Sequence, residues 1–351
     1  MSKTKVLLTG VTGYIGGSVL TRFLARSDAA SFDFRVIVRS PEKAEQLRGF
    51  GVTPIVGSHN DESVMVPAAS EVDVVIATAD CDDLVAAKLT LKGLKKRFEQ
   101  TKKPPIFINT SGTGVLMDDA KGMYASKTIY NDEDITQIET LPPSQPHRPV
   151  DLAIVAADQE GYIKSYLILP STIYSIARGK LFDAGISHPY SQIIPGLIKL
   201  SVHRGQAGMV GEGKNMWPNV DIHDLADLYN TLYDSIINNP STGHGREGFY
   251  FGENGEHSLL DIGKGIGQAL SELGKAKSAE PSSFTKDEVA EYFGASGLFS
   301  IPVPVSMMGS NARCRANRPK AVGWKPSKTT ADMLASIKPE ADAAIEAMSK
   351  K

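Results

Sequence analysis

The chain has 351 residues, enough for one large or two modest domains. Its 38 Lys and Arg residues nearly balance 40 Asp and Glu residues, giving a net charge of −2, so no strong positive field attracts nucleic acid or a membrane surface. The two cysteines, Cys81 and Cys314, lack metal-type spacing and are typical of a reducing compartment. A strand beginning at Lys5 leaves no room for a signal peptide, and glycines interrupt the apolar stretch after it. These features predict a cytoplasmic protein with no metal site.

A glycine-rich turn lies between the first predicted strand and the first predicted helix. The apolar run Val6–Leu8 predicts the strand, and apolar residues at helical intervals predict a helix that ends near Arg26. The glycines between them allow a tight bend, close approach of the backbone to a diphosphate, and close packing of helix on strand. In this context the GxxGxxG spacing predicts dinucleotide binding, and a purely structural turn is the alternative. The predicted contacts are Gly10, Thr12, Gly13, Tyr14, Ile15 and Gly16.

The end of the second predicted strand, Phe34–Val38, indicates which dinucleotide is bound. An acidic residue there would bind the ribose 2′-hydroxyl of NAD, whereas an arginine attracts the 2′-phosphate of NADP. This chain has Arg39, followed by Ser40 as a helix cap and Pro41 in the first turn. Arg39 and Ser40 therefore predict NADP, with NAD less favoured. The alternative is that Arg39 is an ordinary solvated residue.

Further apolar runs alternate with amphipathic helices and predict parallel strands joined by right-handed crossovers. The runs are Val52–Val56, Val72–Ala77, Pro105–Asn109 and Ser165–Leu169. This alternation predicts an α/β fold with a doubly wound parallel sheet of the Rossmann type. Ligands bind such sheets at the carboxyl ends of the strands. Further predicted cofactor contacts are Ser58, His59, Ala77, Thr78, Ala79, Thr110, Pro170, Ser171, Thr172 and Ile173.

The pattern changes after the sixth strand. We expect a nucleotide-binding domain at residues 1–175 and a smaller, partly interleaved C-terminal lobe at residues 176–351 that mainly binds substrate. Residues 117–149 are acidic and then proline-rich, which predicts a lid-like insertion. A predicted helix at residues 219–240 returns to the first domain, Phe249–Phe251 predicts a short strand, and Ser258 with Asp261 predicts a capping box.

Four segments in order resemble motifs of the extended and atypical short-chain dehydrogenase/reductases, which include nucleotide-sugar epimerases, dihydroflavonol-type reductases and NmrA-like regulators. They are TGVTGYIGG at 9–17, LPSTIY at 169–174, NVDIHDLAD at 219–227 and GWKP at 323–326. Within this superfamily the chain looks most like fungal-type proteins labelled nucleoside-diphosphate-sugar epimerases. The resemblance implies an NAD(P)-dependent protein with a small-molecule substrate. It also implies a homodimer, for which the predicted helix Leu84–Glu99 is the candidate interface.

The catalytic motif of that family is incomplete in this chain. Family members use a Ser or Thr after strand five, which orients the substrate oxygen, and a Tyr-x-x-x-Lys pair, in which Lys lowers the pKa of the proton-transferring Tyr. Gly112 stands at the serine position, between Ser111 and Thr113. No Tyr-x-x-x-Lys precedes strand six at the usual distance, and His147, Arg148 and Asp151 stand there instead.

The nearest substitute is Tyr124 with Lys127, which would share a face on a helical turn. The predicted catalytic residues are therefore Tyr124, Lys127, Ser111 and Thr113, with the alternative that Tyr124 and Lys127 are surface residues of the insertion. The predicted function is an NADP-dependent oxidoreductase acting on a carbonyl, alcohol or activated double bond of a small organic molecule. Two alternatives stay open: a sugar-nucleotide epimerase or dehydratase, and a non-catalytic NADP-binding regulator. For the epimerase, a basic cluster would bind the substrate diphosphate or simply form salt bridges; it comprises Arg313, Arg315, Arg318 and Lys320.

Overall fold

The computed structural model describes residues 3–293 and 303–349. Its strands, in chain order, are β1 (Thr4–Thr9), β2 (Phe32–Val38), β3 (Thr53–Val56), β4 (Val74–Ala77), β5 (Ile106–Thr110), β6 (Tyr130–Asn131), β7 (Lys164–Pro170), β8 (Thr172–Tyr174), β9 (Gly208–Met209), β10 (Met216–Asp221), β11 (Phe249–Gly252), β12 (Glu256–Ser258), β13 (Ser282–Ser283) and β14 (Cys314–Arg315).

The helices are α1 (Tyr14–Leu24), α2 (Pro41–Arg48), α3 (Glu62–Ser70), α4 (Leu84–Thr101), α5 (Ile135–Glu139), α6 (Arg148–Gln159), α7 (Lys180–Asp183), α8 (Ile193–Arg204), α9 (Ile222–Asn238), α10 (Leu259–Glu272), α11 (Lys286–Tyr292), α12 (Val305–Gly309), α13 (Asn317–Ala321) and α14 (Thr330–Ser349). Short 3₁₀ turns lie at Ala29–Ser31, Thr113–Leu116 and Gly245–Glu247. No helix in the described ranges combines the length and hydropathy needed to cross a membrane.

The main sheet has seven parallel strands in the order β11-β7-β5-β4-β1-β2-β3. Strands β1, β4 and β5 are fully buried at Leu7, Val75 and Ile108, because helices cover both faces of the sheet. The strand order reverses beside β1, so a crevice opens between the carboxyl ends of β1 and β4. The predicted Rossmann-type α/β fold is confirmed, with strand ends displaced by up to two residues.

Sequence-distant segments complete the first half of the fold. Strand β11 pairs with β7 at the edge of the main sheet, from Phe249 opposite Leu167 to Gly252 opposite Pro170, although it lies outside residues 1–175. Helix α9 packs against α1. A second hydrophobic cluster is built mainly from α8, α10 and α14, and its buried residues include Ile198, Leu270 and Ile337.

Residues 117–149 are tied to the C-terminal part of the chain rather than standing apart from it. Strand β6 pairs with β14, and Asp118 accepts hydrogen bonds from the backbone and side-chain amides of Asn311 at 2.8 and 2.9 Å. The buried carboxylate of Asp132 accepts hydrogen bonds from the backbone N–H groups of Phe251, Asn317 and Arg318. These bonds fix the segment at both ends of β6, and its action as a lid stays a prediction.

Predicted helix caps account for several helix starts. Ser40 accepts a hydrogen bond from the Lys43 N–H at the start of α2, and Ser258 and Asp261 form the predicted capping box of α10. Helix α4 packs against α3 and α6, and its proposed role in a dimer stays a prediction.

Candidate functional site

The glycine turn between β1 and α1 lies directly against the end of β4. A Cβ atom at Gly16 would lie 2.3 Å from the Gly10 carbonyl oxygen and 2.4 Å from Thr78 Oγ1, and one at Gly10 would lie 2.6 Å from the Thr78 backbone. Gly10 also has a φ of +77°, a conformation that favours glycine. The turn therefore has room for backbone alone at these two positions, at the point where the strand order reverses.

The amino end of α1 is open toward the crevice. Gly13 is the N-cap and offers no side-chain hydrogen bond, and no acidic residue lies in the first turn. By contrast, α2, α3 and α4 are capped by Ser40, Asp61 and Asp83. The first N–H groups of α1 thus lack an intrahelical partner and carry the positive end of the helix dipole. Open amides beside a turn that has room for backbone alone at Gly10 and Gly16 fit a diphosphate, so these residues suit a dinucleotide.

The predicted adenosine contacts lie at the carboxyl ends of β2 and β3. Arg39 is exposed and makes no ion pair with any residue of the described chain. Ser40 caps α2. Ser58 donates a hydrogen bond to Asn60 at 2.7 Å, and the His59 imidazole lies 3.6 Å from the Asp83 carboxylate.

Hydroxyl groups hold together the ends of the strands on the other side of the crevice. Thr78 Oγ1 donates to the Thr9 carbonyl at 2.7 Å, Thr110 Oγ1 donates to the Ala77 carbonyl at 2.8 Å, and Ser171 Oγ donates to the Gly252 carbonyl at 2.7 Å. Ala79 is exposed, whereas Pro170 and Thr172 are buried and Ile173 is half-buried. The predicted cofactor contacts thus share one edge of the sheet, but several of their hydroxyls already bond to the protein.

A partly buried polar cluster connects the start of α1 to helix α14. The Tyr14 hydroxyl donates hydrogen bonds to the carbonyls of Tyr174 and Ser175 at 2.9 and 2.5 Å. Ser175 has a φ of +78°, and its N–H donates to Glu340 of α14 at 3.1 Å. Burial raises the pKa of Glu340 to about 7, although the hydrogen bonds from Ser175 and Ser336 lower it. Helix α14 therefore reaches the glycine turn through a carboxyl group that ionises near neutral pH.

This ionisation predicts a pH-dependent stability. Because the pKa of Glu340 rises from 4.5 to about 7 on folding, its contribution to stability is present below pH 4.5 and is lost as the pH rises through 7. Glu340→Gln should therefore gain up to about 3 kcal/mol relative to the wild type between pH 4.5 and pH 8. Denaturant unfolding at several pH values measures this, with exposed Glu99→Gln as control. A pH-independent difference would contradict the assignment.

The predicted catalytic residues do not form one hydrogen-bonded group. Ser111 Oγ donates to the buried carboxylate of Asp151 at 3.1 Å, and the buried Thr113 hydroxyl has no hydrogen-bond partner within the described ranges. Tyr124 is 51% exposed, and Lys127 is exposed.

The helical turn expected at Tyr124–Lys127 is wrong, since the segment lies outside every helix. Long-range contacts replace the local turn: the Tyr124 carbonyl accepts a hydrogen bond from Asn311 at 3.2 Å, and the Ser126 carbonyl accepts one from Arg313 at 2.7 Å. A direct interaction of Lys127 with Tyr124 on a shared helical face is therefore not formed.

A different group of side chains meets beside Gly112. His147 is the N-cap of α6, with an unusual φ of +66°. Its Nδ1 lies 2.9 Å from the Asp82 carboxylate and 3.3 Å from Cys81 Sγ, both in the loop after β4. On the other side of the ring, Cβ atoms at Gly112 and Gly114 would lie 2.9 and 2.8 Å from Nε2.

The charges in this group are strongly coupled. Burial lowers the pKa of His147, but its hydrogen bonds to Asp82 and Cys81 outweigh burial and raise it to about 10. The same hydrogen bond lowers the pKa of Asp82. Burial raises the pKa of Asp151 to about 6, although Ser111 and the charge of His147 lower it. Near neutral pH the His147 imidazole thus carries a positive charge and pairs with the Asp82 carboxylate.

The ligand-type atoms of Cys81, Asp82 and His147 also lie within 4.8 Å of one another, which the cysteine spacing alone did not predict. The hydrogen bonds to Nδ1 account for this closeness. The sequence patterns predicted no role for these three side chains or for Asp151. The available signal was the spacing His147-x-x-x-Asp151, which matches that of Tyr-x-x-x-Lys, together with glycine at position 112.

Comparisons with known proteins agree with this architecture. Residues 2–93 match the model of the NmrA-like family. Oxidase ucsJ of Acremonium sp. is 26% identical over 340 residues, covering 92% of this chain and 92% of that protein. Phenylcoumaran benzylic ether reductase IRL1 of Ginkgo biloba is 33% identical over 141 residues, covering 36% of this chain and 43% of that protein.

Among solved structures, UDP-glucose 4-epimerase from Bifidobacterium longum, in complex with NAD+ and UDP, superposes with a TM-score of 0.62 at 17% identity, covering 97% of this chain and 98% of that one. This likeness concerns the fold. The expected resemblance is confirmed to this extent: the chain shares the Rossmann-type α/β fold of this epimerase, and its residues 2–93 match the NmrA-like family.

Proposed function

We propose that this protein is an NADP-dependent oxidoreductase that acts on a carbonyl, alcohol or activated double bond of a small organic molecule. The observation that carries the proposal is the uncapped amino end of α1, which follows the tightly packed Gly10–Gly16 turn at the reversal of strand order. Similarity to reductases and to an oxidase supports an NAD(P)-dependent function of the short-chain dehydrogenase/reductase type. A bound nicotinamide would supply hydride chemistry, and the protein would supply binding, orientation and a proton.

The preference for NADP rests on Arg39. Its guanidinium follows β2, is exposed, and is not engaged by a carboxylate of the described chain, so it is available to a 2′-phosphate. No acidic residue stands at this strand end to favour the 2′-hydroxyl of NAD.

The basic cluster near the C-terminus favours an oxidoreductase over a sugar-nucleotide epimerase. Arg313 and Arg315 pair with the Glu256 carboxylate at 2.9 and 3.0 Å. The Arg318 guanidinium donates to the Asp132 carbonyl, and the Lys320 amine lies 3.8 Å from Glu253. Since these cations already have protein partners, they are poorly placed to serve as a free diphosphate clamp.

Arg39→Ala tests the cofactor assignment. We expect the variant to bind NADP about 10- to 100-fold more weakly, because a charge-assisted hydrogen bond contributes roughly 1.5–3 kcal/mol, and to bind NAD nearly as the wild type does. Calorimetric titration with both dinucleotides measures this. Arg48→Ala removes another exposed arginine, at the end of α2, and should change neither affinity. An unchanged preference for NADP in Arg39→Ala would contradict the assignment.

A non-catalytic regulator is the second candidate, favoured by the NmrA-like match at residues 2–93 and by the missing Tyr-x-x-x-Lys. It predicts NADP binding without NADPH oxidation across a broad panel of aldehydes, ketones and enones. The oxidoreductase predicts consumption of NADPH with at least one of them. If Tyr124 is the proton donor, Tyr124→Phe should abolish that turnover.

A further inference from the structure

We propose that His147 is the proton donor of this site and occupies the space that the family's catalytic serine and tyrosine would share. The proposal rests on the proposed oxidoreductase function and names the acid that this function needs. Its basis is the fit of the imidazole between the loop after β4 and the loop after β5.

The position of the His147 ring excludes side chains in the loop after β5. The Nε2 atom of His147 lies so close to residues 112 and 114 that any side chain there would collide with the ring. Gly112 has an extended backbone (φ −170°), which any residue adopts, so the backbone conformation does not require glycine. The imidazole does require it, because a serine at 112 and the present position of His147 exclude each other. A serine at position 112 would therefore require the His147 ring to move.

The two ring nitrogens of His147 have different surroundings. Nδ1 is held by Asp82 at 2.9 Å and Cys81 at 3.3 Å, while no described residue accepts a hydrogen bond from Nε2. Because the carboxylate and the thiol contact the same nitrogen, this is not a relay in which a base on one nitrogen activates a nucleophile on the other. Because Nδ1 is engaged, Nε2–H remains as the donor. It lies beside the end of β5, and the His147 side chain is only 15% exposed.

The surrounding charges keep Nε2 of His147 protonated. Asp82 and Cys81 face the ring from the loop after β4, and Asp151 and Arg148 lie on α6, whereas residues 112–114 add no charge. The pKa of about 10 for His147 equals that of an ordinary tyrosine, so the imidazolium is protonated at neutral pH yet acidic enough to protonate an alkoxide. Asp151, on the same helix as Arg148, accepts a hydrogen bond from Ser111 Oγ of the loop after β5 at 3.1 Å, and it follows His147 by four residues, as the family's lysine follows its tyrosine.

The proton balance of the step is simple. A bound NADPH would supply hydride to the carbonyl carbon of the substrate and would itself become NADP⁺. As the C=O π bond breaks, the oxygen takes the proton from His147 Nε2, and the N–H electron pair stays on the ring. Asp82 keeps the Nδ1 proton in place, and solvent returns a proton to Nε2 after the alcohol leaves.

The main test compares His147→Gln with His203→Gln, a matched change of an exposed histidine at the end of α8. We expect His147→Gln to lower kcat for NADPH oxidation by about 100- to 10,000-fold with NADP affinity retained, and His203→Gln to leave both unchanged. Gly112→Ser gives the sharpest contrast: it should also lower kcat, because it displaces the imidazole, whereas a serine–tyrosine mechanism through Tyr124 predicts a gain.

A second readout does not depend on turnover. ¹⁵N NMR of the histidine rings should show His147 doubly protonated at pH 8, and neutral there in Asp82→Asn. The kcat profile should fall near pH 10 in the wild type and at lower pH in Asp82→Asn, because the carboxylate raises the pKa of the acid.

Each result separates the two proposals. Wild-type turnover that survives His147→Gln, a neutral His147 at pH 8, or zinc bound stoichiometrically by the purified protein would overturn the donor assignment alone. A wild-type protein that binds NADP but oxidises NADPH with no member of the panel would overturn the oxidoreductase function and the donor with it.

Discussion

Gly16→Ala should abolish dinucleotide binding, although alanine normally stabilises a helix relative to glycine by about 1 kcal/mol. The new Cβ would lie 2.3 Å from the Gly10 carbonyl oxygen and 2.6 Å from its carbon, and backbone atoms cannot rotate away. The turn must therefore move away from the end of β4. We expect more than a 100-fold loss of affinity for both NADP and NAD in calorimetry, and a loss of roughly 1–3 kcal/mol in the free energy of unfolding.

Gly49→Ala is the matched control. Gly49 follows α2 with a φ of −61°, and its Cβ would lie 3.2 Å from the Gln46 carbonyl oxygen, an approach that a small adjustment relieves. This variant should bind both dinucleotides as the wild type does. If Gly16→Ala also binds them normally, the turn does not hold the diphosphate.

Asp132→Ala should cause the largest loss of stability. Its buried carboxylate accepts hydrogen bonds from three backbone N–H groups, those of Phe251 at 3.1 Å, Asn317 at 3.0 Å and Arg318 at 2.9 Å. Alanine would leave all three without a partner, at a cost of about 1–3 kcal/mol for each group that water does not reach. We expect a total loss of roughly 3–5 kcal/mol in the free energy of unfolding, measured in urea at pH 7.5.

Asp119→Ala removes an exposed carboxylate of the same segment, which pairs with Lys121 at 3.2 Å on the surface, and should change stability by less than about 0.5 kcal/mol. Asp132→Asn keeps an acceptor oxygen, so its loss of stability should lie between those of Asp132→Ala and Asp119→Ala. A loss below about 1 kcal/mol for Asp132→Ala would mean that residues 117–149 are not held by this carboxylate.

The sheet and the position of the glycine turn were predictable because their signals are local. Apolar runs such as Val6–Leu8, followed by glycines and helical periodicity, indicate buried parallel strands wherever they occur. The caps at Ser40 and Ser258 are read from a few adjacent residues. In each case neighbours in sequence are also neighbours in space.

The side-chain group around His147 was not predictable on those terms. Cys81 and His147 are 66 positions apart and meet because the loop after β4 lies against the start of α6, a helix that packs against α4. Conversely, Tyr124 and Lys127 are close in sequence, but distant partners such as Asn311 decide their conformation. Spacing arguments work where local hydrogen bonds determine the backbone, and they fail where tertiary contacts replace those bonds.

The position of β11 has a consequence for biosynthesis. Once residues 1–175 have emerged from the ribosome, six of the seven strands of the main sheet are available. The backbone of β7 still lacks the neighbour that Phe249–Gly252 supplies. Until those residues emerge, the nascent chain presents a bare apolar β-edge that invites pairing with another polypeptide. We therefore expect premature termination before residue 249 to yield aggregates rather than a nucleotide-binding fragment.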